Sequence, residues 1–196
     1  MSEGDASVTN MRSLCGVPVV AALMVALLTS CGRDAGRGGT GDLDGVPPRE
    51  WAVAVCAALR PWTDQIATLT RQAQERLAAA AGPDEARASV LELLDGARQA
   101  SATARDRVAA AGIPDIEQGE RVAQEFLASL TAARDAYAAA HDEIESLSTA
   151  DATAFYDGVE AAMQTLDQRY RQSAVDTSTL SSTELQRAFD EVPECQ

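Results

Sequence analysis

The chain has 196 residues, enough for one domain with short additions. Its formal charge of −14 argues against a nucleic-acid role, because phosphate binding needs a basic footprint. The same charge disfavours docking on anionic lipid through the protein surface. All sixteen basic residues are Arg, and a composition rich in Ala with few aromatic residues leans helical.

Val17–Leu28 reads VPVVAALMVALL, an apolar run of twelve residues. That is too short to span a bilayer, which takes about 20 residues. It matches the apolar core of a secretory signal, about 7–15 residues long. Arg12 is the only cation ahead of it, and Glu3 and Asp5 are out of place in a charged signal region. Met11 directly precedes Arg12, so translation is expected to start at Met11.

The run ends in Leu28-Thr29-Ser30-Cys31, which resembles the lipobox of bacterial lipoproteins. Thr29-Ser30 stands where that motif usually has an Ala/Ser-Gly/Ala pair. The resemblance implies that residues 1–30 are a signal peptide and that the Cys31 thiol is alkylated with diacylglycerol. Cleavage before Cys31 would then leave it as the lipidated N-terminus, on the extracytoplasmic face of the cell membrane. Each buried methylene contributes about 0.8 kcal/mol, so two acyl chains anchor stably where one is marginal. The alternatives are an ordinary signal peptide cut nearby and an uncleaved anchor.

Gly32–Pro48, GRDAGRGGTGDLDGVPP, is dominated by Gly, Asp and Pro and has no periodicity. It is expected to be a flexible tether, residues 31–48, with an r.m.s. reach on the order of 20–25 Å. Of the four cysteines, Cys15 leaves with the signal and Cys31 is consumed by lipid. Cys56 and Cys195 remain, and export would deliver them to an oxidising compartment. A Cys56–Cys195 disulfide is therefore expected, worth roughly 4–5 kcal/mol in the chain-entropy account. Two separate thiols are the alternative.

Residues 49–196 are expected to be an all-α domain. Apolar positions recur in alternating steps of four and three. The first segment carries Val55, Leu59, Trp62, Ile66, Leu69, Ala73 and Leu77, and the second runs from Val90 through Leu94, Ala97, Ser101 and Ala104 to Val108. The third runs from Ile116 through Gly119, Ala123 and Phe126 to Leu147, and the fourth from Phe155 to Tyr170. Gly82-Pro83-Asp84, Gly112-Ile113-Pro114-Asp115 and Ser148–Asp151 punctuate them. Asp115 with Gln118, and Ser181 with Glu184, are placed for capping boxes, the second opening a short helix at Ser182–Glu191. Pro61 should kink or divide the first helix. Short links between long helices give an up-down-up-down four-helix bundle with a short, disulfide-stapled last helix.

Taken together, the lipobox, the Gly-rich tether, Trp51–Cys56–Trp62, Gly112-Ile113-Pro114 and Phe189-x-x-Val192-Pro193-x-Cys195 resemble small uncharacterised helical lipoproteins of high-GC actinobacteria. The resemblance implies an all-helical envelope domain and no particular activity.

His141 is the single histidine, close in sequence to Asp142, Glu143 and Glu145. Imidazole with carboxylates can hold a divalent ion, but the Glu-x-x-His pairs of di-iron bundles are missing. His141 is read as a boundary residue, and no metal or cofactor is expected. The acidic residues, interleaved with Arg as in Glu117–Arg121, read as a solvated face. Trp51, Trp62, Tyr137, Tyr156 and Tyr170 read as core, and Gly119 and Gly158 as sites of close helix approach or of a cavity. No nucleophile elbow, His-Glu-x-x-His, Cys-x-x-Cys or phosphate loop is present. The expected function is a non-enzymatic binding or interaction module of the cell envelope, held by lipid on Cys31 and facing an envelope protein partner. A small-ligand or metal-binding carrier using the bundle interior is the alternative.

Overall fold

The computed structural model of the chain describes residues 45–173 and 182–195. The signal peptide, Leu28, Thr29, Ser30, Cys31, the tether up to residue 44, and Ser181 lie outside the described residues. The helices are α1 Pro48–Ala79, α2 Pro83–Ala110, α3 Gly119–Glu145, α4 Ala152–Ser173 and α5 Thr183–Glu191, followed by a 3-10 turn at Pro193–Cys195. Among the described residues there is no strand, only an isolated parallel bridge between Val46 and Pro114. The expected all-helical class is therefore what the described residues form.

The first helix begins with Pro48, whose fixed φ suits the first turn. Just before it, the Val46 N–H donates to the Ile113 carbonyl and the Val46 carbonyl accepts from Asp115, both at 2.7 Å. Val46 also packs on the core. The last residues of the expected tether are thus built into the fold through the packing and backbone hydrogen bonds of Val46. α1 runs unbroken through Pro61, which does not divide it. Pro61 and Ala57, whose carbonyl loses its helical donor there, are both exposed. Water can serve that carbonyl, so the helix continues.

Two junctions differ from the expected capping. At the second, α3 starts at Gly119, so Asp115 and Gln118 form no capping box. Asp115 is drawn to Val46 instead, and Gln118 is the cap, with φ 64° and no side-chain capping bond. At the last, Ser182 rather than Ser181 caps α5, its hydroxyl accepting from the Leu185 N–H at 3.2 Å. Elsewhere, Asp151 Oδ1 caps α4 by accepting from Ala154 at 3.0 Å.

Gly112 ends α2 with φ 78°, the left-handed conformation that glycine adopts without a Cβ clash. Gly119 is fixed by space: a Cβ there would lie 2.0 Å from the Pro114 carbonyl oxygen.

Two apolar clusters hold the helices. One joins the start of α1, the end of α2, the start of α3, and α5, with Trp51, Val55, Val108, Val122, Phe126 and Leu185 at its centre. The other joins the start of α2, the end of α3, and α4, around Leu94, Tyr137, Ile144, Ala162 and Leu166. Trp62 pairs with Ser101, Leu69 meets Gly96, and Arg76 pairs with Glu92, so α1 and α2 run antiparallel. Leu147 meets Gly158 and Tyr137 meets Tyr170, so α3 and α4 do too.

The seam of α2 is buried throughout, from Val90 to Val108. That of α1 is not. Leu59, Trp62, Ile66 and Leu69 are half-buried and Leu77 is 40% exposed. The first half of α1 is enclosed by α2, α3 and α5, whereas Ile66 touches the second cluster only at its margin.

The turn before α3 yields a paired expectation. Gly119→Ala is expected to destabilise by about 3 kcal/mol, because backbone must move to admit one methyl. Gln118→Gly is expected to be neutral or stabilising by up to about 1 kcal/mol, because it relieves a left-handed non-glycine residue. Urea unfolding of both variants checks this; a clear loss of stability in Gln118→Gly would show that the Gln118 side chain, not its backbone, matters.

Candidate functional site

The N-terminal part of α1 and the C-terminal segment meet at a covalent clasp. Cys56 and Cys195 are bonded, with Cα atoms 5.1 Å apart and a sequence separation of 139. Neither sulfur is therefore a nucleophile or a metal ligand. α5 lies on α1 through Leu185, Ala188 and Val192, all buried. Trp51 sits behind the clasp, fully buried, edge-on to Phe126 at 5.3 Å and to Phe189 at 6.1 Å. Its indole N–H donates to the Gly112 carbonyl at 2.9 Å.

A second aromatic layer crosses the middle of the domain. Trp62 stacks on Tyr170 at 6.5 Å, and Tyr170 lies 6.3 Å from Tyr137. The Trp62 indole N–H donates to Ser101 Oγ at 3.0 Å, and the Ser101 hydroxyl donates to the Ala97 carbonyl at 2.8 Å. Ser101 is fully buried. Its place in an apolar seam was the sequence signal for this polar contact, but the partner on α1 could not be read from spacing. Burial, with Tyr170 alongside, pushes the Tyr137 phenol up to about 12, and burial raises Tyr170 as well. Of the five aromatic residues expected in the core, two are exposed: Tyr156, at 47% and in contact with Phe155, and Tyr170, at 37%, where the edge of the layer reaches solvent.

His141 is half-buried near the end of α3, with its Nδ1 3.3 Å from Asp142 Oδ1. Donor atoms of His141, Asp142 and Glu145 all lie within 4.8 Å of one another. Across from them on α2, hydrogen bonding from Arg98 holds the Asp95 carboxyl below the usual carboxylate range, with the charge of His141 a smaller contributor.

Neither glycine flagged as a cavity marker leaves one. Gly119 is pressed on Pro114, and the space over Gly158 is taken by the Leu147 side chain, 2.8 Å from where a Cβ would stand. An open groove of about 370 Å³ runs along α3 and α4, lined by Ala132, Asp135, Ala136, Arg169 and Gln172. It is a surface feature with two opposite charges and small side chains. The ion pairs of the described residues are mostly local and solvent-exposed, such as Arg71–Glu75 at 3.0 Å and Arg121–Glu125 at 2.5 Å, so each contributes little. Glu117 lies in the turn before α3.

Two measurements follow from this geometry. Denatured but unreduced protein should show no free thiol at Cys56 or Cys195 by mass mapping; alkylation of both would refute the clasp. The raised phenol of Tyr137 links folding to pH with a definite sign. The folded state disfavours tyrosinate, so stability is intact below the unfolded value of 10.0 and falls as pH rises toward about 12. Tyr137→Phe should flatten that alkaline decline in denaturation curves.

No protein-family model matches the chain, and no curated protein and no solved structure matches it either.

Proposed function

We propose that the chain is a lipid-anchored, non-enzymatic binding module of the cell envelope, displayed on the extracytoplasmic face of the membrane. In this reading Cys31 carries the lipid, a short tether follows, and α1–α4 form an up-down-up-down bundle that α5 clasps. The observation that carries the proposal is the Cys56–Cys195 bond. It joins the two cysteines left over once the signal and the lipobox have taken the others. A bond of that kind persists in an oxidising compartment, which is where a lipobox sends a chain. Among the described residues no helix is long and apolar enough to cross a membrane.

The filled layers at Gly119 and Gly158 favour action at the surface over a carrier that uses the interior. The partner is expected to be another envelope protein, met by the outer helix faces. The negative charge keeps those faces off anionic lipid.

Mass spectrometry of the protein extracted from membranes tests the anchor. The expected species begins at Cys31 and carries diacylglycerol, and Cys31→Ser should move the protein from the membrane to the soluble fraction. An unmodified N-terminus elsewhere, with membrane association unchanged in Cys31→Ser, would sink the proposal. Cross-linking in intact cells then tests the module: a discrete adduct is expected from the anchored protein and none from Cys31→Ser.

A further inference from the structure

We infer that the end of α3 is a binding site for a divalent transition-metal ion, with zinc as the reference case, held by His141, Asp142 and Glu145. The inference does not depend on how the chain is anchored. His141 and Glu145 are one helical turn apart and so share a face, and Asp142 adjoins them. Their donor atoms lie within 4.8 Å of one another, and His141 Nδ1 and Asp142 Oδ1 are already 3.3 Å apart. Donors around a tetrahedral zinc stand roughly 3.4 Å apart, given bond lengths of about 2.1 Å. Rotating side chains can close the difference, since Asp142 and Glu145 are exposed and His141 is half-buried.

Electrostatics favour a cation at this place. A helix C-terminus carries partial negative charge. α1, α2 and α4 each have an Arg in the last turn: Arg76, Arg107 and Arg171. α3, unlike the other long helices, has no basic residue there, and its end carries His141 and carboxylates instead; the short α5 also lacks one. The nearby cations on α2 are engaged elsewhere. Arg98 holds Asp95 at 2.6 Å, and Arg87 donates to the Leu147 carbonyl at 3.2 Å and reaches Asp84 at 3.4 Å.

The donor set decides the class of ion. One imidazole nitrogen with two carboxylates suits zinc and its transition-metal neighbours over calcium or magnesium, which take oxygen donors alone. Cys56 and Cys195 are bonded to each other and do not compete. Three protein donors leave a tetrahedral ion one open position, for water or for a donor from a partner surface.

His141 is the single histidine of the chain, so every imidazole signal belongs to it. The test is a zinc titration of the full chain without a polyhistidine tag, followed through the imidazole 1H–15N resonances. A saturable shift at one ion per chain is expected. Glu145→Gln and Asp142→Asn should each weaken it by at least about tenfold. Asp106→Asn, on the far part of α2, should leave it unchanged. Resonances that stay put up to millimolar zinc would overturn the site. So would a shift of equal affinity in Glu145→Gln and Asp142→Asn, which would mean that His141 acts alone.

Discussion

The indole of Trp51 is the contact on which the ordering of one whole end of the domain rests. One ring touches α3 through Phe126 and α5 through Phe189, and its N–H reaches the carbonyl of Gly112 in the α2–α3 turn. A buried indole needs an acceptor, and a turn carbonyl at the domain's end needs a donor; each meets the other's requirement. That pairing explains why the turn is irregular and still well defined. Gly112 must be left-handed to present its carbonyl, Val46 bridges the far side of the turn, and Gly119 tucks under Pro114. The unfavourable φ of Gln118 persists because these surrounding contacts over-determine it.

The two ends of α1 obey different rules. Its first half is enclosed and covalently fastened, so its small residues, Ala52 and Ala58, are buried as tightly as its large ones. Its second half meets α2 through Leu69, against Gly96, and keeps Ile66 and Leu69 only half-buried. Between the halves, the Trp62–Ser101 hydrogen bond pins the register of α1 on α2. A polar pair does this better than another alanine contact, because it has one geometry and a half-buried indole N–H left without an acceptor is costly.

Much of the helical layout was legible before any coordinates. Ala-rich segments with apolar steps of three and four have few other ways to bury their seams, and Val90 to Val108 is the clear case. The clasp was legible by elimination, on the expectation that Cys15 goes with a signal and Cys31 to lipid, which leaves Cys56 and Cys195 to pair as they do. The junctions were not. Asp115 and Gln118 have the spacing of a capping box, yet a hydrogen bond to Val46, distant in sequence, wins Asp115. Ser181 and Ser182 are chemically equal as caps, so local sequence cannot choose between them. A glycine announces a missing Cβ but not what fills the space; at Gly158 the answer is Leu147. The grouping at His141 was visible as spacing, while the lack of a cation at the end of α3 takes meaning only beside the arginines that end α1, α2 and α4.

The Cys56–Cys195 bond also changes what chain cleavage can do to this molecule. It closes a covalent ring that takes in α2, α3, α4 and α5 whole, together with most of α1. A single peptide-bond cut anywhere inside that ring yields no separate fragments. Both pieces stay attached to each other and to everything N-terminal of Cys56. Release of any helix demands either a second cut or reduction of the bond, so a protease acting once leaves a nicked but undivided protein.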